Sequence, residues 1–239
     1  MFTLQFSNNP QNARLLFDTA RIRHLTSLTP SVIDITRCFM PERLRVEAFI
    51  RDIYHLHYGA DIAVTYPTLM SVRNANGEIL AAVGFRLASE APLFLEQYTR
   101  QPIEQVLGSL YHEQIARHEI VEIGNLASAG KGASIFLFGA IASYLLNRGI
   151  RYATVTGTEQ LRKRFHLLGL QPHTICNADR TLLDAAQNNW GSYYAAQPKV
   201  LAGSLEASMQ QLNRQLGALY QENGVTLLPR LHHKAEKPL

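Results

Sequence analysis

The chain is 239 residues long, 46% hydrophobic and 18% charged, with 23 Lys+Arg against 19 Asp+Glu. That length suits one generous domain or a domain with an appendage, and that apolar fraction excludes wholesale disorder. Two cysteines, Cys38 and Cys176, exclude a disulfide scaffold, no Cys/His cluster has zinc spacing, and a scattered net charge of +4 excludes a nucleic-acid stripe while permitting anionic ligands.

Met1 to Arg14 lacks a basic segment ahead of an apolar run, so no secretory signal is expected. The longest apolar stretch, between Lys131 and Arg148, falls short of the roughly 20 residues that span a bilayer, and a soluble cytoplasmic protein is the expectation. Residues 1–40 are mixed, broken by Asn8-Asn9-Pro10 and Thr29-Pro30, and read as an irregular extension wrapped on the main domain. Arg43 to Tyr58 repeats Leu44, Ala48, Phe49, Ile53 and Leu56 at helical spacing, and Gly59 caps it. A hairpin follows, Thr68–Val72 and Ile79–Phe85 about an Asn74-Ala75-Asn76-Gly77 turn. Pro102 to about Tyr111 reads as a helix, and Glu119 to Leu126 as a strand.

That strand runs into Ala129-Gly130-Lys131-Gly132-Ala133, which opens a helix from Ser134 to Asn147. The helix is apolar nearly all round and is expected to lie buried between layers. Tyr152–Thr156 is the next strand, Leu161–Leu168 a short helix closed by Gly169, and Pro172–Ile175 an extended segment. This order defines an α/β domain with a central sheet over residues 41–203. Residues 204–239 carry Leu205, Met209, Leu212, Leu216 and Leu219 as a short heptad seam, capped by Ser204 and Gly224, pointing to packing or a homodimer rather than a membrane surface. His232, His233, Lys234 and Lys237 follow in a frayed tail.

Glycines between a strand and a helix let backbone N–H groups approach an anion, and the helix N-terminus adds partial positive charge. Gly130, Lys131, Gly132, Ala133 and Ser134 are therefore a candidate phosphate cradle, although the turn has neither Walker A nor dinucleotide spacing. The plainer alternative is a tight connection. No Gly-x-Ser-x-Gly elbow appears, Cys176 has no argued base, and His55 and His57 diverge on their helix, so hydrolase and metal chemistry find little support.

Phe165-His166-Leu167-Leu168-Gly169-Leu170 resembles the aromatic–x–x–Leu-Gly-Phe ending of the GNAT N-acetyltransferase fold. That resemblance implies that Phe165 packs near the pantetheine arm of coenzyme A and that the glycine-rich turn takes its pyrophosphate. The blocks Pro92–Tyr98, Ile120–Ala127, Trp190–Tyr194 and Pro198–Gly203 resemble the thermostable hemolysin family, whose members are similar in fold to acyl-homoserine-lactone synthases. The implied donor is an acyl thioester on coenzyme A or an acyl-carrier protein, with no metal or redox cofactor. The family name implies lysis instead, and a non-catalytic lipid-binding protein is a third reading.

Acyl transfer to an amine needs the ammonium deprotonated and the thioester oxygen stabilised. Glu122 fits the first need, with Gly124 nearby to allow a bulge or close backbone approach. In the lactone synthases the matching strand carries an arginine three residues after its glutamate, where this chain has Asn125. Strand alternation puts Glu96 and Tyr98 on one face, as a second carboxylate for the ammonium and a proton relay. Trp190, Tyr193 and Tyr194 are candidates to line an acyl or acceptor pocket, against plain core packing.

Overall fold

In the computed structural model, residues 1–7, 12–183 and 189–223 are described. Strands β1 (Phe2–Ser7), β2 (Asn12–Phe17) and β3 (Pro30–Arg37) come first, with a one-turn helix α1 (Thr19–Ile22) between the last two. Helix α2 (Arg43–Tyr58) leads to β4 (Thr68–Asn74) and β5 (Ile79–Leu87), then to the short α3 (Glu96–Thr99) and α4 (Ile103–Tyr111). After them come β6 (Ile120–Ser128), α5 (Ala133–Leu146), β7 (Tyr152–Gly157), α6 (Glu159–Leu167) and β8 (His173–Asn177). The chain closes with β9 (Lys199–Ser204), α7 (Leu205–Leu216) and β10 (Leu219–Asn223). All ten strands join one mixed sheet in the order β10-β2-β1-β3-β4-β5-β6-β7-β9-β8. The pairs β1–β3 and β6–β7 are parallel.

Residues 2–37 are not an irregular wrap. They supply three strands of the central sheet, with Leu4 and Phe6 on β1 and Ala13, Leu15 and Phe17 on β2 alternating inward. The strands are short, so the sequence offered few repeats of period two; partners brought from far along the chain fix them. The break at Asn8-Asn9-Pro10 lies outside the described residues.

Two apolar layers cover the sheet. Helices α5, α6 and α7 share one core with β1–β5, while α2 and the α3–α4 segment cover the other face in two further clusters. Every residue of α5 from Ala133 to Leu145 is buried, as its all-round apolar surface requires. The seam of α7 is spent inside the fold: Leu205, Leu212 and Leu216 are buried, and the helix packs on α5 and α1. It ends at Gly217, in the left-handed region with φ 62°, which is a C-cap geometry that glycine adopts freely. Leu219 therefore opens β10, which pairs with β2. Gly224 and the tail with His232, His233, Lys234 and Lys237 lie outside the described residues.

Candidate active site

The site begins with a defect in β6. Between Ala82↔Ala127 and Gly84↔Gly124, β5 advances two residues while β6 advances three, a bulge that contains Asn125. Asn125 has φ 51°, a left-handed conformation that asparagine tolerates better than most residues. Beyond the bulge β6 parts from β7. Their parallel ladder ends at Ile123↔Val155, whereas β6 continues to Ser128. The β7 side of β6 thus opens into a wedge, with backbone N–H and C=O groups directed into it.

Cavities meet at this wedge. On the face of α5, α6 and α7 lies an apolar cavity of about 390 Å³, walled by Ile123, Leu126, Ile141, Val155, Leu161 and Phe165 among others. On the opposite face lies a smaller one of about 210 Å³, walled by Tyr54, Tyr66, Arg86, Asn125, Trp190 and Tyr194. A third, of about 110 Å³, shares Leu126, Val155 and Leu161 with the first and Tyr54, Gly124, Thr156 and Tyr193 with the second. The opened strands therefore stand between an apolar chamber and an aromatic one, with the third cavity bordering residues of both. Thr156 Oγ1, buried without a hydrogen-bond partner among the described residues, belongs to a residue that walls both smaller cavities.

Glu122 stands at the inner end of the wedge, 1% exposed. Its two carboxylate oxygens accept the N–H groups of Phe94 and Leu95, each at 2.9 Å. The Tyr66 hydroxyl lies close enough to the same carboxylate for each to shift the other's proton affinity. Burial pushes the Glu122 carboxyl above the ordinary value; the Phe94 and Leu95 N–H groups, Arg86 and Tyr66 oppose that rise without cancelling it. Burial also raises the Tyr66 hydroxyl far above its ordinary value, with the Glu122 charge adding to the effect. Tyr66 lies flat on the sheet because Gly84 and Gly124 leave it room: a Cβ on Gly84 comes within 2.7 Å of the tyrosine Cβ. Nothing in the local pattern of Val64-Thr65-Tyr66-Pro67 marks this residue; the paired glycines beneath it are the one signal, and they are far apart in sequence.

Asn125 and Tyr54 wall the smaller cavity together, and Asn125 works against the rise that burial imposes on the Tyr54 hydroxyl. Tyr98 and Tyr194 meet hydroxyl to hydroxyl, and burial raises both. Trp190 packs on Phe94 and Tyr54 as well as on Tyr193 and Tyr194, so these aromatics both pack and wall the smaller cavity.

Glu96 goes elsewhere. Residues 96–99 coil into α3 instead of extending, so Glu96 and Tyr98 do not share a face. Arg117 Nη1 reaches Glu96 at 2.6 Å and Glu104 at 2.7 Å, and the N–H groups of Leu93 and Ile103 donate to Glu96 at 2.8 and 2.9 Å. Burial works to raise the Glu96 carboxyl, but Arg117 and the two N–H groups outweigh it and hold it below the usual range. This network anchors the turn whose N–H groups grip Glu122.

The glycine-rich turn takes three left-handed residues in succession, Gly130 (φ 90°), Lys131 (φ 51°) and Gly132 (φ 81°). Thr26 Oγ1 donates to the Lys131 carbonyl at 2.7 Å, and a Cβ on Gly132 would strike the Leu25 carbonyl. Lys131 itself is exposed, while Ala133 and Ser134 are buried in the first turn of α5. The Ala133 N–H already donates to the Gly130 carbonyl at 3.0 Å, so it is not offered to a ligand in this arrangement. Phe165 packs on Phe138 and walls the apolar cavity. Among the described residues no group of His, Cys, Asp and Glu could hold a metal ion.

A bulged strand splayed from its parallel neighbour, followed by a glycine-rich turn and a buried helix, defines a GNAT-like acyltransferase fold. Residues 38–209 match the thermostable hemolysin family, and the chain belongs to it. Similar solved structures include FeeM, an N-acyl amino acid synthase from uncultured soil microbes (TM-score 0.54, 16% identity, 77% of this chain and 96% of that one). The AHL synthase LasI (TM-score 0.50, 16% identity, 75% and 92%) is another. So is BjaI, a CoA-dependent acyl-homoserine lactone synthase (TM-score 0.51, 11% identity, 77% and 89%). At these identities the likeness is one of fold. No curated protein matches the chain.

Proposed function

We propose that this protein moves an acyl group from an acyl thioester to the amine of a small acceptor. The observation that carries the reading is the junction at the opened β6–β7 pair, where an apolar cavity meets an aromatic one beside the buried Tyr66–Glu122 pair. The apolar cavity takes the acyl chain. At about 30 Å³ per methylene, close to a water's share of liquid volume, 390 Å³ holds roughly a dozen carbons. The donor is a thioester of coenzyme A or of an acyl-carrier protein, in keeping with the CoA dependence named for BjaI. Its phosphates reach the Gly130–Ser134 turn and Lys131, with Phe165 beside the incoming arm.

The chemistry follows from the arrangement. The acceptor ammonium gives a proton to the Tyr66 oxygen as Tyr66 passes its own to Glu122, whose proton affinity burial has raised. The freed amine attacks the thioester carbonyl; the C–N bond forms, the C–S bond breaks, and the thiolate leaves and is protonated. Backbone N–H groups of β6 beyond Ile123, with the Thr156 hydroxyl, face the oxygen that gains charge. Asn125, through Tyr54, and the Tyr98–Tyr194 pair with Trp190 and Tyr193 shape the acceptor side.

The membrane-active alternative leans on the 205–219 seam, which here is packed on α5; among the described residues no helix is long and apolar enough to cross a membrane. The test is thiol release from acyl-CoA and acyl-carrier-protein thioesters of graded length, with and without mixed amines, followed by mass spectrometry. A new amide that appears only when both substrates are present supports the transferase. Absence of thiol release with every donor and amine overturns it.

A further inference from the structure

The aromatic cavity carries a charge that the proton relay does not use. Arg86, at the end of β5, walls this cavity with Tyr66 and Asn125, and its guanidinium lies 5.5 Å from the Tyr66 ring centre. It donates to the carbonyls of Thr65 at 3.0 Å and Pro92 at 3.3 Å, which occupy two of its five N–H donors. Eight other arginines, from Arg21 to Arg162, form ion pairs, whereas among the described residues no carboxylate forms one with Arg86; Glu122, its cross-strand neighbour on β6, is already held by two N–H groups. Asp61 stands on the rim of the same cavity, exposed, its backbone N–H fixed on the Asn189 carbonyl at 2.8 Å.

A cation with spare in-plane donors, a proton-accepting pair and a rim carboxylate around about 210 Å³ match one kind of small molecule. We infer that the acceptor is an α-amino acid whose carboxylate is bound by Arg86 while its amine faces Tyr66. The inference rests on the transferase reading and narrows its acceptor. A guanidinium fork fits a carboxylate through paired hydrogen bonds, whereas a carboxamide offers one oxygen and no charge. In an α-amino acid, amine and carboxylate leave the same carbon, so fixing the carboxylate on Arg86 also sets the amine's distance from the relay. Asp61 holds the ammonium at the rim before it enters.

The test compares the twenty amino acids with their carboxamides as acceptors, with a medium-chain acyl-CoA as donor, in the wild type, Arg86→Gln and Arg86→Lys. Calorimetric titration of the same compounds into each protein runs alongside, and thermal melting checks that each variant is folded. Wild type should favour the acid over its carboxamide by roughly tenfold to hundredfold in KM and in binding. Arg86→Gln should bring that ratio close to one, and Arg86→Lys should keep part of it. Equal use of acid and carboxamide by the wild type, or an equal loss for both in a folded Arg86→Gln, overturns the inference while leaving the transferase intact. Discrimination in binding without turnover upholds the carboxylate site and overturns the transferase.

Discussion

Replacing Tyr66 with Phe separates the relay from the packing, because it removes one oxygen and leaves the ring on Gly84 and Gly124. Two effects follow at Glu122. The carboxylate loses the polar hydroxyl beside a buried charge, worth about 2 kcal/mol, which for a chain of this size lowers the melting temperature by about 4–8 °C. It also loses one of the contacts that oppose burial, so its carboxyl rises further. In the wild type the folded protein holds that proton more tightly than the unfolded chain does. Stability therefore falls, and catalytic competence grows, as pH rises from the ordinary glutamate range through the raised Glu122 value. In Tyr66→Phe both changes move to higher pH, and kcat falls by about a hundredfold or more as the relay is cut. The assay is kcat/KM for thiol release across pH, with melting curves in the same buffers. A variant within threefold of wild type, its acid limb unmoved, refutes the relay.

Gly84→Ala should push the Tyr66 ring off Glu122 without straining the backbone, destabilising the fold by about 1–3 kcal/mol and lowering activity; the denaturant midpoint and thiol release read the two losses. Ala142→Leu should take about 80–90 Å³ from the apolar cavity and shorten the preferred acyl chain by about three carbons, as seen across a graded acyl-CoA panel. Glu96→Gln should destabilise at neutral pH by about 1–3 kcal/mol through loss of the Arg117 pair. Because the Glu96 carboxyl is held low in the folded protein, its contribution is present above the ordinary glutamate value and fades as pH falls through the lowered one. The gap between variant and wild type should therefore close as pH falls from the ordinary glutamate value through the lowered one, and urea titrations at several pH values would expose a gap that does not.

Much of the fold follows from local pattern. The helix from Arg43 with its Gly59 cap, the hairpin about Asn74–Gly77 and the buried helix after the glycine-rich turn all occur within a residue or two of their sequence limits, because spacing and turn chemistry act over a few residues. Although its sequence left packing and a cavity wall both open, the aromatic block at Trp190–Tyr194 was legible as a cluster. Residues 2–37 were not, since three short strands acquire meaning only from neighbours such as β4 and β10. Glu96 was misread as a partner of Tyr98 on an extended segment, since the coil at 96–99 depends on Arg117 and on the N–H of Ile103.

Composition, periodicity and the glycine punctuation by themselves determined an α/β domain with a buried helix behind a strand–turn, and a glutamate on that strand. Tertiary structure alone decided what surrounds the glutamate. Tyr66 reaches it across two glycines that belong to different strands, Arg86 arrives from the end of β5, and the wedge exists because β6 gains a residue that β5 does not match. Each of these depends on the register between strands distant in sequence, and register is set by the packing of whole faces, which no local window contains.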